Sequence, residues 1–365
     1  MNKKILFLVA DITASGGIER VITHLASQFA IEGRNVEILS VHRSHEKIAY
    51  PLNDRVEVNY VDKKIKPLGK PGSFYKLSSH FLSAIRLNLI LFKRRNNIVI
   101  ANSFPISLIS FPSVFFNHRN IVVEHVFHGY YGNILQTMRG FLYNQYDYVV
   151  ALTDRDTALY KNKNLNATTI PNPLSFKPTH FQNPEQEKKK IVAVGRLEYQ
   201  KGFDILINAF SAIEKNIKDG WELDIYGEGS LRGELQNLIN AHSLEEIITL
   251  KGNVKDLHEL YYQYDIFVFS SRFEGFGMVL LEAMSCALPC ISFDCPTGPR
   301  EILNNGKYGL LCDNENEQEL KEKLTLFIKD KSLRAFYSAQ SLNRSKDYDI
   351  SHISQKWNSL FNRLT

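Results

Sequence analysis

The sequence predicts an α/β protein whose architecture occurs twice, and three observations carry this. Short, branched, nearly continuous apolar runs recur along the chain, as strands buried on both faces of a parallel sheet require. Helical apolar patterns separate them, as in Ile18, Val21, Ile22, Leu25 and Phe29. A polar, proline-rich break interrupts the alternation, which then restarts.

In the first half the strands are ILFLVA, VEILSV, IVIAN, IVVEH and YVVAL. The start, MNKKILFLVADIT, has the basic and apolar outline of a secretion signal. Its run is short, lacks a small-residue cleavage pattern and leads into Ser15-Gly16-Gly17, so it reads as the first strand. After Ile170, PNPLSFKPTHFQNPEQEKKK carries four prolines and reads as a linker. The strands IVAVG, WELDIYG, IITLKG, DIFVFSS, PCISFD and GLLCD follow, and beyond about residue 315 the pattern is helical. The expected division is a first domain over 1–172, a linker over 173–190 and a second domain over 191–349.

A chain of 365 residues, 44% hydrophobic and 23% charged, can bury two cores as an ordinary soluble protein. The candidate span Phe104 to Phe116 is too short to cross a bilayer and is broken by Pro105 and Pro112. Cys286, Cys290 and Cys295 cluster without CxxC spacing or a nearby histidine, so reduced cytosolic thiols are expected rather than zinc. Residues 1–175 hold 21 Lys+Arg against 12 Asp+Glu, and the remainder 23 against 27. A basic first half suits a lipid pyrophosphate or an anionic membrane surface, and equally suits plain solvated lysines. No nucleic-acid recognition motif accompanies the charge. The apolar, aromatic stretch from Ser73 to Arg95, preceded by Lys63, Lys64, Lys66 and Lys70, reads either as a core helix with a basic end or as a membrane-surface helix.

Chemistry concentrates in the second half. In EGFGMVLLE, Glu274 and Glu282 bracket Gly275, Phe276, Gly277, Met278 and Val279, between the strand DIFVFSS and an apolar helix start. Such a junction collects unpaired amides and partial positive charge, which suits a phosphate. The two carboxylates suit neutral hydroxyls instead, such as those of a sugar and a ribose. A second cluster, Gly195-Arg196 with Lys201-Gly202, offers a guanidinium fork and an ammonium from one loop, the clamp a diphosphate needs. The pattern points to a nucleotide-sugar site. In the first half, Gly16 and Gly17 allow close backbone approach to a phosphate or sugar, though an ordinary βα turn would look the same. His125 ends the strand IVVEH, with Glu124 beside it to orient it or bind the acceptor, and His128 as a competitor. Asp154-Arg155-Asp156 looks like a metal-binding DxD, but Thr153 with Asp156 three residues on fits a helix N-cap better.

The succession GRLEYQKG, YGEGS, GNVKD and EGFGMVLLE resembles family 4 of the retaining glycosyltransferases, and PTGPREIL looks like its bacterial surface-polysaccharide subgroup. The likeness is dense over roughly residues 190–310. It implies the GT-B fold, with two facing Rossmann-like domains, the active site in the cleft between them, and a last helix near 350–365 crossing back to the first domain. It implies a donor, most simply a UDP-sugar, bound mainly by the second domain, through Arg196, Lys201, Glu274, Phe276, Gly277, Met278, Val279 and Glu282, with Gly16 and Gly17 of the first domain. His125, Arg196, Lys201 and Glu274 become the catalytic set, with no metal or other cofactor. A lipid-linked glycan is the implied acceptor, met in the cytoplasm at the inner membrane. Retention is expected through front-face attack, since no carboxylate is placed as a covalent nucleophile. A nucleotide-sugar epimerase shares the architecture, and a non-catalytic glycan-binding descendant would be expected to have lost some of Arg196, Lys201 and the two glutamates. A glycan phosphorylase would need a longer chain and a cofactor lysine.

Overall fold

The computed structural model describes residues 3–65, 74–254 and 256–364, and their side chains apart from those of residues 74–80 and 257. Lys66, Lys70, Ser73 and the Lys255 of GNVKD therefore lie outside the described residues. The chain divides into two units, Met1–Ser175 with Ile350–Thr365, and Phe176–Asp349.

The first unit holds strands β1 (Ile5–Val9), β2 (Val36–Ser40), β3 (Glu57–Tyr60), β4 (Ile98–Asn102), β5 (Arg119–Glu124), β6 (Tyr148–Ala151) and β7 (Ala167–Thr169). They form a sheet in the order β3-β2-β1-β4-β5-β6-β7, every pairing parallel. Its helices are α1 (Gly17–Ile31), α2 (Phe74–Lys93), α3 (Phe104–Ile109), α4 (Asn133–Tyr143) and α5 (Asp154–Lys161). The central strands β1, β2 and β4 are buried at every position, which is why they read as unbroken apolar runs. Thr153 caps α5, its hydroxyl accepting the Asp156 amide at 3.2 Å, so the DxD look-alike is a helix start.

The second unit repeats the plan with β8 (Lys190–Val194), β9 (Glu222–Tyr226), β10 (Ile248–Gly252), β11 (Ile266–Phe269), β12 (Cys290–Asp294) and β13 (Leu310–Asp313), in the order β10-β9-β8-β11-β12-β13. Its helices are α6 (Phe203–Ser211), α7 (Arg232–Ala241), α8 (Met278–Ser285), α9 (Pro299–Ile302), α10 (Glu317–Lys329) and α11 (Lys331–Ser345). Phe210, Phe293 and Phe327 anchor its core. Within the segment expected to link the domains, the Gln182 amide donates to the Cys286 carbonyl (2.9 Å), and Asp265 accepts the Lys188 and Lys190 amides at 2.8 and 3.2 Å. All four cysteines are buried free thiols whose pKa burial raises. The last helix, α12 (Ile350–Leu364), belongs to the first unit, where Phe361 and Trp357 pack edge-on against Phe29 of α1. Among the described residues no helix is long and apolar enough to cross a membrane.

Candidate functional site

Where the strand order of a parallel sheet reverses, the loops on the carboxyl side part and leave a crevice for ligands. In the second unit this reversal lies between β8 and β11. Residues 195–202 leave β8 there and residues 270–277 leave β11. Two hydrogen bonds to backbone carbonyls clasp the loops together. Ser270 Oγ donates to the Lys201 carbonyl (2.9 Å), and the Arg272 amide to the Gln200 carbonyl (2.8 Å). Gly202 stands at φ 61°, and a β-carbon there would meet the Ser270 carbonyl oxygen at 2.2 Å. Only glycine satisfies both demands.

The side chain of Lys201 runs across Gly195, where a β-carbon would come within 2.9 Å of its Cδ. Its Nζ pairs with Glu274 Oε1 and sits 5.5 Å from the centroid of the Phe269 ring. Both side chains of the pair are largely covered, 13% and 12% exposed. The cation read as a phosphate ligand and the carboxylate read as a sugar ligand therefore hold each other, which offsets the desolvation of both. Arg196 is exposed, its Nη2 donating to Gln200 Oε1 at 3.3 Å, while Gln200 Nε2 donates to the Phe273 carbonyl at 2.9 Å. One short chain of contacts thus ties Arg196 to the loop bearing Glu274.

Gly277 (φ 100°) is the N-cap of α8, and Phe276 is buried with its ring 5.8 Å from that of Tyr348. The first-turn amides of Met278 and Val279 have no intrahelical acceptor. Glu282 falls four residues after Met278, on the same helix face one turn in, and is 5% exposed. Cationic side chains, helix-start amides and a buried carboxylate one turn further on thus share one sheet edge.

Three supports went unread in the sequence. Arg272, two residues before Glu274, looks like a further phosphate cation, yet its donors are committed. It forks onto Asp204 (2.9 and 2.6 Å), reaches Glu315 (2.8 Å) and the Tyr199 carbonyl (2.8 Å), and lies over the Tyr199 ring. Hydrogen bonding to Asp204 raises its pKa further. The Thr297 hydroxyl donates to the Glu274 carbonyl. Gly298, at φ 99°, lets the chain pass so near the Phe276 carbonyl that a β-carbon would lie 1.8 Å from its oxygen. The PTG of PTGPREIL is therefore the floor of the EGFG loop. The motifs also meet one another. Leu197 donates to the Glu228 carbonyl (2.9 Å), Glu198 accepts the Ser230 amide and hydroxyl (2.9 and 2.8 Å), and Gly227 bridges Gly252.

In the first unit the reversal lies between β1 and β4. Gly16 caps α1 with extended backbone, and a β-carbon there would come within 2.2 Å of Glu19 Oε2. The glycine makes room for the Glu19 carboxylate, folded back over the helix start, while a β-carbon at Gly17 would meet nothing within 4 Å. Burial raises the Glu19 pKa, and nearby Asp11 adds to this. Neither acid was picked out from sequence. Asp11 is buried and accepts the Thr13 amide (2.9 Å) and hydroxyl (2.6 Å). His125 follows β5 directly. Its Nε2 lies 3.3 Å from Asn102 Oδ1, while the Asn102 amide donates to the Leu8 and Ile100 carbonyls, so Nε2 carries the hydrogen. Burial pushes this imidazole down to about 4, so it is neutral near pH 7.

Glu124 does not orient His125, contrary to expectation. It points into the core, onto Arg139 Nη1 (3.1 Å) and the Tyr143 hydroxyl (2.8 Å), because neighbours on a strand face opposite sides. Burial pushes it up to about 7, against the pull of Arg139. His128 packs on Tyr160 beside the same cluster.

Residues 175–344 match the protein-family model described as glycosyl transferases group 1. The chain is 28% identical to the amylovoran biosynthesis glycosyltransferase AmsD of Erwinia amylovora, over 98% of this chain and 99% of that one. It is 30% identical to an uncharacterized glycosyltransferase of Methanocaldococcus jannaschii, over 66% and 70%. It is 25% identical, over 97% of each, to a Campylobacter jejuni N-acetyl-D-galactosaminyltransferase whose name specifies an undecaprenol-diphosphate-linked glycan. Among solved structures, Staphylococcus aureus TarM superposes with TM-score 0.81 at 17% identity, covering 99% of both chains. Anabaena HepE, solved with UDP and glucose, superposes with TM-score 0.78 at 18% identity, also covering 99% of both. These neighbours share the two-Rossmann GT-B fold.

Proposed function

We propose that this chain, which belongs to the group 1 glycosyl transferases, moves a hexose or N-acetylhexosamine from a UDP-sugar to a hydroxyl of a lipid-linked glycan during synthesis of a bacterial surface polysaccharide. The observation that carries the reading is the juxtaposition at the β8–β11 reversal. Lys201 is preplaced by Glu274, Arg196 stands exposed beside it, and the open first turn of α8 leads to the buried Glu282.

In this mechanism Lys201 and Arg196 stabilise the charge that grows on the departing diphosphate, and the amides at Gly277, Met278 and Val279 add to it. These groups do the work a divalent cation does elsewhere, so transfer proceeds without a metal. Glu282 accepts from the ribose hydroxyls. Arrival of the diphosphate draws the ammonium from Glu274, whose carboxylate turns to the sugar hydroxyls. Neutral His125 is assigned to the sugar; the incoming hydroxyl attacks C1 from the face the diphosphate leaves and passes its proton to the leaving phosphate, so configuration is retained. The work is placed at the cytoplasmic face of the inner membrane, where such an acceptor is met. AmsD supports a place in polysaccharide synthesis, the Campylobacter enzyme supports the lipid-linked acceptor, and UDP in HepE supports the donor.

The test incubates the protein with a panel of UDP-sugars, with and without undecaprenol-diphosphate-linked glycans, and follows UDP release and product. Acceptor-dependent release is expected. Isomerised sugar nucleotide without acceptor would make the chain an epimerase, and glycan binding without turnover would make it a lectin.

A further inference from the structure

We propose that the outer face of α2 and α3 in the first unit docks on an anionic lipid bilayer. The inference is independent of the donor and acceptor assigned above.

Helix α2 is apolar on two sides. Ser83, Leu87 and Leu91 form its buried stripe, at 1%, 0% and 0% exposure. A second stripe of Phe81, Ile85, Leu89 and Phe92 points outward, with Phe81 68% and Leu89 57% exposed. A soluble helix covers one apolar stripe and solvates the other face, so a second stripe calls for a second cover. Together with Leu108 of α3 and Phe116, this stripe walls a groove of about 850 Å³. Asn88 is the groove's polar side chain, and its amide is already committed to the Ala84 and Ile109 carbonyls at 2.8 Å each.

The charge around the groove selects the occupant. The Arg95 guanidinium lies over the Phe92 ring, 4.5 Å from its centroid, which puts a cation on the rim of the apolar face. Lys93 and Arg95 are exposed and have no carboxylate partner among the described residues, whereas Arg86 and Arg94 are held by Asp62 and Glu37. Aromatic and aliphatic tips with two such cations at one end match a headgroup layer, with apolar side chains below the phosphates and cations level with them. Since no described helix is long and apolar enough to cross, the contact is interfacial.

The test is co-sedimentation of the full chain with vesicles of phosphatidylcholine, alone or with about one third phosphatidylglycerol. Binding is expected on the phosphatidylglycerol vesicles and should weaken with salt. Lys93→Gln with Arg95→Gln should lower partitioning roughly 25-fold, at about fivefold per charge. Leu89→Asp should abolish it without changing the melting temperature, the site being exposed. Trp221 and Trp357 are buried, at 3% and 2% exposure, so a Leu89→Trp variant should show a blue shift that only those vesicles produce. Equal binding to neutral vesicles, or none to either, overturns the proposal. So does a concentration-dependent dimer that Leu89→Asp dissolves while vesicles stay unbound.

Discussion

At the β8–β11 reversal of the second unit, loop glycines bring Lys201 and Arg196 to a helix start whose first amides have no intrahelical acceptor. At the β1–β4 reversal of the first unit, the equivalent helix start is folded under Glu19, with buried Asp11 close by and a neutral histidine after β5. The backbone plan is the same and the chemistry is opposite in sign. The difference teaches that a βα turn with glycines is a space, and that neighbouring side chains decide what fills it. In one unit the space is proposed to take a phosphate; in the other the chain's own carboxylate occupies it.

Lys201→Ala is the hardest blow to this contrast. It should lower turnover about 10²- to 10³-fold, the usual consequence of removing one preorganised donor to a charge that develops in the transition state. Acceptor-dependent UDP release measures it, and near-wild-type turnover in a folded variant would remove the lysine from the chemistry. His125→Ala sharpens the contrast from the other unit. Turnover should fall about 10²-fold, while calorimetry finds UDP affinity unchanged, because a neutral ring in the first unit does not hold the phosphates. Glu282→Ala should do the reverse in kind, weakening UDP roughly tenfold, or about 1.4 kcal/mol, through the lost hydroxyl contacts.

The smallest effect is on stability against pH. Glu124 titrates near 7 in the folded chain against an ordinary 4.5, so it removes stability as pH rises between those values. His125 and His128 are both pushed down to about 4 from an ordinary 6.5, so they remove stability as pH falls between those values. The two trends oppose each other between about 4.5 and 6.5. Glu124→Gln should therefore steepen the rise of stability with pH there, by up to about 1.4 kcal/mol per pH unit. Denaturant melts at a series of pH values would reveal an unchanged slope if Glu124 stays ionised in the core.

The sheets were legible because their central strands are buried on both faces and so are spelled in Val, Ile and Leu. The edge strands β3 and β7 went unread because exposure breaks that spelling: β3 alternates exposed and half-buried positions, and β7 is three residues long. At the site, Lys201, Glu274 and Glu282 stood out because charged groups beside glycines are conspicuous. What stayed hidden was partnership. Glu274 could be read as a sugar ligand, yet no spacing rule announces that it meets a lysine 73 residues away. Arg272 misleads for the same reason, since its partners Asp204 and Glu315 lie far off in the chain. Gly298 resembled a family letter and proved to be a packing requirement.

The most direct measurement is a crystal of the protein soaked with UDP. The account predicts the diphosphate at Lys201, Arg196 and the first turn of α8, the ribose on Glu282, and the Lys201–Glu274 pair parted. A nucleotide lodged at the glycine turn of the first unit, with Lys201 still on Glu274, would contradict it.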